Sequence, residues 1–257
     1  MIGMFDSGFG GLTVARAVID LLPGEDLVYL GDTGRYPYGP RRQSEVREFA
    51  VQIAGLLVER YGVDLLVVAC NTAAAAALDE LQATLPVPVV GVIEPGVRSL
   101  VTATRQGRVA VIGTVGTIGS GAYQRAVATA DPSVELTCAA CPGFVEFVER
   151  GETGGDQVLV LAERLLAPVC AARPDALLLG CTHYPFLART ISDVVGRDVV
   201  LVDSADETAF EVRSLLGGGA PGRGTRRFLS SGDVDWFRSL GRRLLGPELD
   251  VVEAVRW

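Results

Sequence analysis

Short apolar runs recur along this chain, and most end in a cluster of small and polar residues. Ile2 to Phe5 is the first. Asp6-Ser7-Gly8-Phe9-Gly10-Gly11 follows it, and helical spacing then carries from Leu12 to Leu22, where Pro23-Gly24 stops it. Leu27 to Leu30 predicts a second strand, ending in the stiff Gly/Pro/Tyr segment Gly31-Asp32-Thr33-Gly34-Arg35-Tyr36-Pro37-Tyr38-Gly39-Pro40. An amphipathic helix is expected from Ser44 to Tyr61 and a buried strand from Val63 to Ala69. Asn71 and Thr72 stand where a helix N-cap belongs, ahead of a helix from Ala73 to Leu85. Val87 to Ile93 is a fourth strand, broken by Glu94-Pro95.

The pattern then begins again. Arg108 to Ile112 is a strand ending in Gly113-Thr114-Val115-Gly116-Thr117, with a helix from about Ser120 and a strand from Val134 to Cys138. Helices are expected over Phe144–Arg150 and Gln157–Ala172. Ala176 to Leu179 is a strand running into Gly180-Cys181-Thr182-His183, with a helix from Pro185 to Val195 behind it. Val199 to Val202 closes the series at Asp203-Ser204. A helix over Ala209–Leu216, a flexible turn from Gly217 to Gly222, an edge strand over Arg227–Ser230 and a helix over Asp235–Leu245 complete the chain.

Strand and helix in regular alternation predict an α/β protein with mostly parallel sheets. The repeated order resembles an internal duplication and predicts two pseudo-symmetric α/β domains, residues 1–95 with 208–257 and residues 96–207. The active site is expected in the cleft between them, where the carboxyl ends of strands collect.

Composition narrows the chemistry. The chain is 49% hydrophobic, as buried parallel strands require, and carries a net charge of −8 with no basic stretch to track phosphates, which argues against nucleic acid as a direct partner. No apolar run approaches the roughly 18 residues that would span a membrane, and no signal peptide is visible, so a reduced cytoplasmic protein with free thiols is expected. All 23 basic residues are Arg. With no Lys, the chain has no anchor for a pyridoxal phosphate Schiff base and no Lys nucleophile, and no cofactor is expected. The Gly turn after the first strand lacks the third Gly of a dinucleotide fingerprint (Thr13 stands there) and the Gly-Lys of a phosphate loop. It serves either to place Asp6 and Ser7 at a ligand or to let them cap the helix.

Two cysteines stand at equivalent strand ends, Cys70 in Ala69-Cys70-Asn71-Thr72 and Cys181 in Gly180-Cys181-Thr182-His183. A thiol at a helix start is expected to have a lowered pKa, and the backbone N–H groups there can hold a carboxylate. Facing thiols could remove a proton from one side of a carbon and deliver one to the other, inverting a stereocentre. A single strand-end Cys is most often a small buried apolar residue; the matched pair favours the chemical reading. His183, the one histidine, is a candidate relay or thiol-tuning group. Cys138 and Cys141 form a Cys-x-x-Cys without the second pair a zinc site needs, and no metal is expected; Cys170 reads as core.

Asp6-Ser7-Gly8-Phe9-Gly10-Gly11, Gly31-Asp32-Thr33 with Arg35-Tyr36-Pro37-Tyr38-Gly39, Ala69-Cys70-Asn71-Thr72-Ala73, Glu94-Pro95 and Gly180-Cys181-Thr182-His183-Tyr184-Pro185 together resemble the cofactor-independent glutamate racemases, in order and across nearly the whole chain to Ser204. The resemblance implies interconversion of L- and D-glutamate for peptidoglycan, with Cys70 and Cys181 as the acid/base pair. It implies auxiliary roles for Asp6, His183 and Glu149. Asp6, Ser7, Tyr38, Gly39, Asn71, Thr72, Thr114, Thr117, Thr182 and His183 fall on its substrate-binding positions. A homodimer is also implied. Gly143 and Gly116 depart from the family, which has a larger apolar residue at the first and Ala at the second. An aspartate racemase of the same superfamily is the near alternative, although His183 stands where aspartate-specific relatives place an acidic residue. An amino-acid-binding protein with inert thiols is the distant one.

Overall fold

All five residues of β1 (Ile2–Asp6) are buried, which places this strand inside a sheet rather than at its edge. The computed structural model describes residues 1–256. It divides into one unit made of Met1–Val92 and the segment from Ala205 on, and a second made of Ile93–Ser204. These divisions fall three residues before those expected at 95 and 207.

In the first unit β1 is followed by α1 (Leu12–Leu21), β2 (Leu27–Gly31), α2 (Gln43–Tyr61), β3 (Leu65–Val68), α3 (Asn71–Thr84) and β4 (Val89–Gly91). The second unit runs α4 (Ile93–Ala103), β5 (Arg108–Gly113), α5 (Val115–Gly119), α6 (Ala122–Ala130), β6 (Glu135–Ala140), α7 (Phe144–Arg150), α8 (Asp156–Ala172), β7 (Ala176–Gly180), a 3₁₀ turn (Tyr184–Leu187), α9 (Ala188–Val195) and β8 (Val200–Val202). The chain then returns to the first unit with α10 (Ala205–Leu215), β9 (Arg226–Ser230), α11 (Val234–Leu245) and β10 (Val252–Ala254).

The first sheet has the order β10-β9-β2-β1-β3-β4 and the second β6-β5-β7-β8. Every pairing among the described strands is parallel. β2-β1-β3-β4 repeats the order of β6-β5-β7-β8, so the two units share a topology: second strand, first, third, fourth. In each, a cysteine follows the third strand within two residues. Both β3 and β7 are buried throughout, as expected of parallel strands covered on both faces.

Several local expectations need correction. Glu94-Pro95 does not simply end a strand; both lie in the first turn of α4, where Pro costs no hydrogen bond. The helix expected from about Ser120 is α6, and a short helix, α5, that was not expected precedes it, with Gly121 at φ +73° between the two. The helix expected from Pro185 opens instead as a 3₁₀ turn. β9 is not an edge strand: it pairs with β2 on one side and with the unanticipated β10 on the other. Gly143, the departure in the family pattern, has φ +94° at the start of α7, a conformation that a larger residue adopts only with strain.

Candidate active site

The turn after β1 lies beside the end of β3, because the two strands are neighbours with Phe5 opposite Val68. Asp6 is fully buried and its Oδ1 accepts the Gly8 N–H at 2.8 Å. Gly11 has no room for a side chain: a Cβ there would stand 2.7 Å from the Asp6 Cβ and 2.9 Å from the Tyr29 hydroxyl. That hydroxyl donates to the Gly8 carbonyl at 3.1 Å, so β2 holds the Gly turn from behind.

Cys70, not Asn71 or Thr72, is the N-cap of α3; its sulfur accepts the Ala73 N–H at 3.5 Å. The Cys70 thiol reaches Ser7 Oγ at 3.7 Å. Asp6 and Ser7 are therefore thiol neighbours, and no side chain caps α1, whose N-cap is Gly11. The expected lowering of the thiol pKa does not occur. Burial, with the Asp6 carboxylate second, pushes Cys70 up to about 11, and the hydrogen bonds from Ala73 and Ser7 only partly offset this. Cys70 thus rests as a thiol. Alkylation of Cys70 by iodoacetamide, followed by mass spectrometry, should rise with pH toward an inflection near 11. An inflection below the ordinary thiol value of 9 would overturn this assignment.

The segment after β2 carries Tyr38 and Gly39. Tyr38 is buried and its hydroxyl donates to Asp32 Oδ2. The same fully buried carboxylate accepts from Arg35 Nε at 2.7 Å and from Ser231 Oγ at 2.5 Å. The Asp32 N–H in turn donates to the Asp6 carbonyl at 2.9 Å, which links this segment to the Cys70 turn. Since the Tyr38 side chain points inward, what the segment can offer a ligand is the backbone at Tyr38 and Gly39. Asp32, Tyr29 and Ser231 were not singled out by sequence reasoning; Asp32 stood within a quoted motif, and Ser231 lay in a tail without one.

In the second unit β5 and β7 are neighbours, with Gly113 opposite Gly180. A Cβ on Gly180 would stand 2.7 Å from the Ile112 carbonyl oxygen and 2.8 Å from the Tyr123 ring, so only glycine fits before Cys181. Cys181 Sγ lies 3.9 Å from His183 Nδ1, and His183 Nε2 lies 3.6 Å from Glu149 Oε1 on α7. Cys181, Thr182 and His183 are all buried. Thr114 caps α5, accepting the Thr117 N–H at 3.2 Å, and the two hydroxyls are 2.9 Å apart. Tyr184 anchors the turn: it is fully buried, its hydroxyl donates to the Cys141 carbonyl at 3.0 Å, and its ring meets Phe144 edge-on.

The two thiols sit differently. Cys70 caps a 14-residue helix beside a carboxylate, whereas Cys181 opens onto a 4-residue 3₁₀ turn beside an imidazole. The remaining cysteines are free among the described residues; burial pushes Cys138 to about 11 and Cys141 to about 12, which leaves both as inert thiols at neutral pH. No group of three or more His, Cys, Asp or Glu among the described residues could hold a metal ion. No described helix is long and apolar enough to cross a membrane.

Residues 11–212 match the family model described as Asp/Glu/Hydantoin racemase. The chain belongs to this family. It is 53% identical over 261 residues to the glutamate racemase of Mycobacterium ulcerans, covering 99% of this chain and 96% of that one. It is also similar to the solved glutamate racemase isoform RacE1 of Bacillus anthracis, with a TM-score of 0.93 and 39% identity over 100% of this chain and 97% of that one. The Francisella tularensis glutamate racemase, solved in complex with D-glutamate, gives a TM-score of 0.92 at 34% identity over 99% and 96%. The racemase described here is thus an isomerase, with the fold of its relatives.

Proposed function

We propose that this racemase interconverts L- and D-glutamate with Cys70 and Cys181 as its two acid/base groups and no cofactor. The observation that carries the reading is the matched placement of the thiols, each at the carboxyl end of the third strand of its own sheet. The relatives' names and the D-glutamate in a solved relative support the substrate.

In one direction the thiolate of Cys70 takes the Cα proton and becomes a thiol. The electron pair left on Cα is delocalised into the substrate carboxylate, and the thiol of Cys181 delivers its proton to the opposite face, becoming a thiolate. The reverse direction exchanges the roles, and no oxidant or reductant is required. Cys70 rests protonated, so its proton first passes to a neighbouring acceptor, for which the Asp6 carboxylate is placed, and the thiolate left behind is stabilised by the substrate ammonium group, since a cation lowers a thiol pKa. Asp6 and Ser7 are in reach of the Cys70 sulfur, and His183, backed by Glu149, is in reach of the Cys181 sulfur. Asn71, Thr72 and Tyr38-Gly39 in the first unit, and Thr114, Thr117 and Thr182 in the second, are assigned to substrate binding.

Optical rotation of L-glutamate in buffer without any cofactor should decay to zero, and in deuterated water the product should carry deuterium at Cα. Unchanged rotation would refute racemisation, and inversion without deuterium would refute proton transfer with the thiols. Faster turnover of aspartate than of glutamate would move the assignment to the aspartate-specific relatives. The reading includes a homodimer, checked by sedimentation, and a cytoplasmic supply of D-glutamate to peptidoglycan, checked by whether loss of the gene makes growth depend on added D-glutamate.

A further inference from the structure

The tail that carried no motif makes a dense set of polar contacts to the segment bearing Tyr38 and Gly39. β9 pairs with β2 from Leu27–Arg226 to Gly31–Ser230, so the ends of the two strands arrive together. Beyond them, Ser230 Oγ lies 2.6 Å from Thr33 Oγ1, and the Gly232 N–H donates to Thr33 Oγ1 at 3.1 Å. Ser231 uses its hydroxyl twice: it accepts the Gly34 N–H at 3.0 Å and donates to Asp32 Oδ1 at 2.5 Å. The two backbones are in close contact. A Cβ on Gly34 would stand 2.7 Å from the Ser231 carbonyl oxygen, and one on Gly232 would stand 2.7 Å from Thr33 Oγ1.

Asp32 is the hinge of this arrangement. One oxygen takes the Ser231 hydroxyl and the other takes Tyr38 and Arg35. A carboxylate held on both oxygens has one orientation, and charge-assisted bonds of this kind are about twice as strong as neutral ones. Arg35 is itself fixed, its guanidinium 4.3 Å above the Phe49 ring and bonded to Gln52 Oε1 at 2.6 Å. Tyr38 packs on the same Phe49 ring, at 5.6 Å between centroids.

We propose that the Ser230–Gly232 turn is a clasp that positions the backbone of Tyr38 and Gly39 for substrate, with Ser231 as a positioning residue acting through Asp32. Ser231 does not touch substrate. The role rests on the assignment of Tyr38-Gly39 to substrate binding. It predicts that losing the Ser231 hydroxyl weakens binding in ground and transition states alike, so KM rises while kcat holds.

Steady-state kinetics of Ser231→Ala on glutamate should show KM raised about 10–150-fold with kcat within about twofold of the parent, the size expected for one lost hydrogen bond to a charged group. Ser231→Thr should restore KM. Ser231→Ala added to Tyr38→Phe should raise KM no further than the worse single variant, since both break the same chain of contacts. Amide hydrogen exchange should quicken over residues 31–40 in Ser231→Ala and stay unchanged around β7. An unchanged KM, a proportional fall in kcat, multiplying effects in the double variant or a uniform quickening of exchange would each overturn the clasp. Wild-type protein that leaves glutamate untouched would instead refute the substrate assignment, and the exchange experiment would still judge the clasp.

Discussion

Cys70→Ala and Cys181→Ala should each abolish racemisation, with kcat/KM for either enantiomer down by at least about 10³-fold. In the proposed mechanism each sulfur serves as base in one direction and acid in the other, so neither direction would survive the loss of one. The neighbours cannot substitute. Asp6 and Ser7 at Cys70, and His183 at Cys181, are side chains set around the sulfur rather than in its place. Exchange of the Cα proton with solvent separates the roles. Each variant should still exchange the one enantiomer whose proton faces the remaining thiol, without inverting it. Polarimetry and proton NMR in deuterated water give both readings. Near-wild-type racemisation in either variant would end the two-thiol mechanism.

The largest stability effect should come from Tyr184→Ala. Truncating a fully buried aromatic side chain leaves a cavity worth about 3–5 kcal/mol. It also orphans the Cys141 carbonyl and removes the edge-on contact with Phe144. Tyr184→Phe keeps the ring and loses only the hydroxyl, and should cost about 1 kcal/mol. The gap between the two variants, read from urea denaturation midpoints at constant slope, tests which contribution dominates. Equal losses would mean that the hydrogen bond, not the packing, holds the turn of Cys181 and His183.

What could be read from sequence was the part encoded locally. The apolar runs at β1, β3, β5 and β7 announce themselves because buried parallel strands need near-continuous apolar residues. The strand-end cysteines stand out against such a background. The repeated strand order follows from the same regularity. What was missed has no local signal. Pro95 reads as a breaker because its tolerance in a first helical turn depends on where the helix starts. The lowered pKa expected at Cys70 came from the helix start alone, whereas burial and Asp6 are tertiary facts and outweigh it. β9 looked like an edge because nothing in Arg226–Ser230 shows that β10 will cover it. Ser231 reads as an ordinary turn residue until Asp32 is placed beside it, 199 positions away in the chain.

That separation bears on the order in which the protein is made. The second unit is one continuous stretch, Ile93–Ser204, and its strands can pair as they leave the ribosome. The first unit is interrupted by it. β1 to β4 are synthesised early, but β9, the partner of β2, follows only after the whole second unit. Until then β2 presents an open parallel edge, the kind of surface that recruits other strands. Contacts so distant in sequence form slowly, because the loop they close must be ordered first. The nascent chain can therefore hold a folded Cys181 turn while the Tyr38 segment still waits for Ser231. Its activity would switch on once the Ser230–Gly232 turn has been made rather than grow in step with chain length.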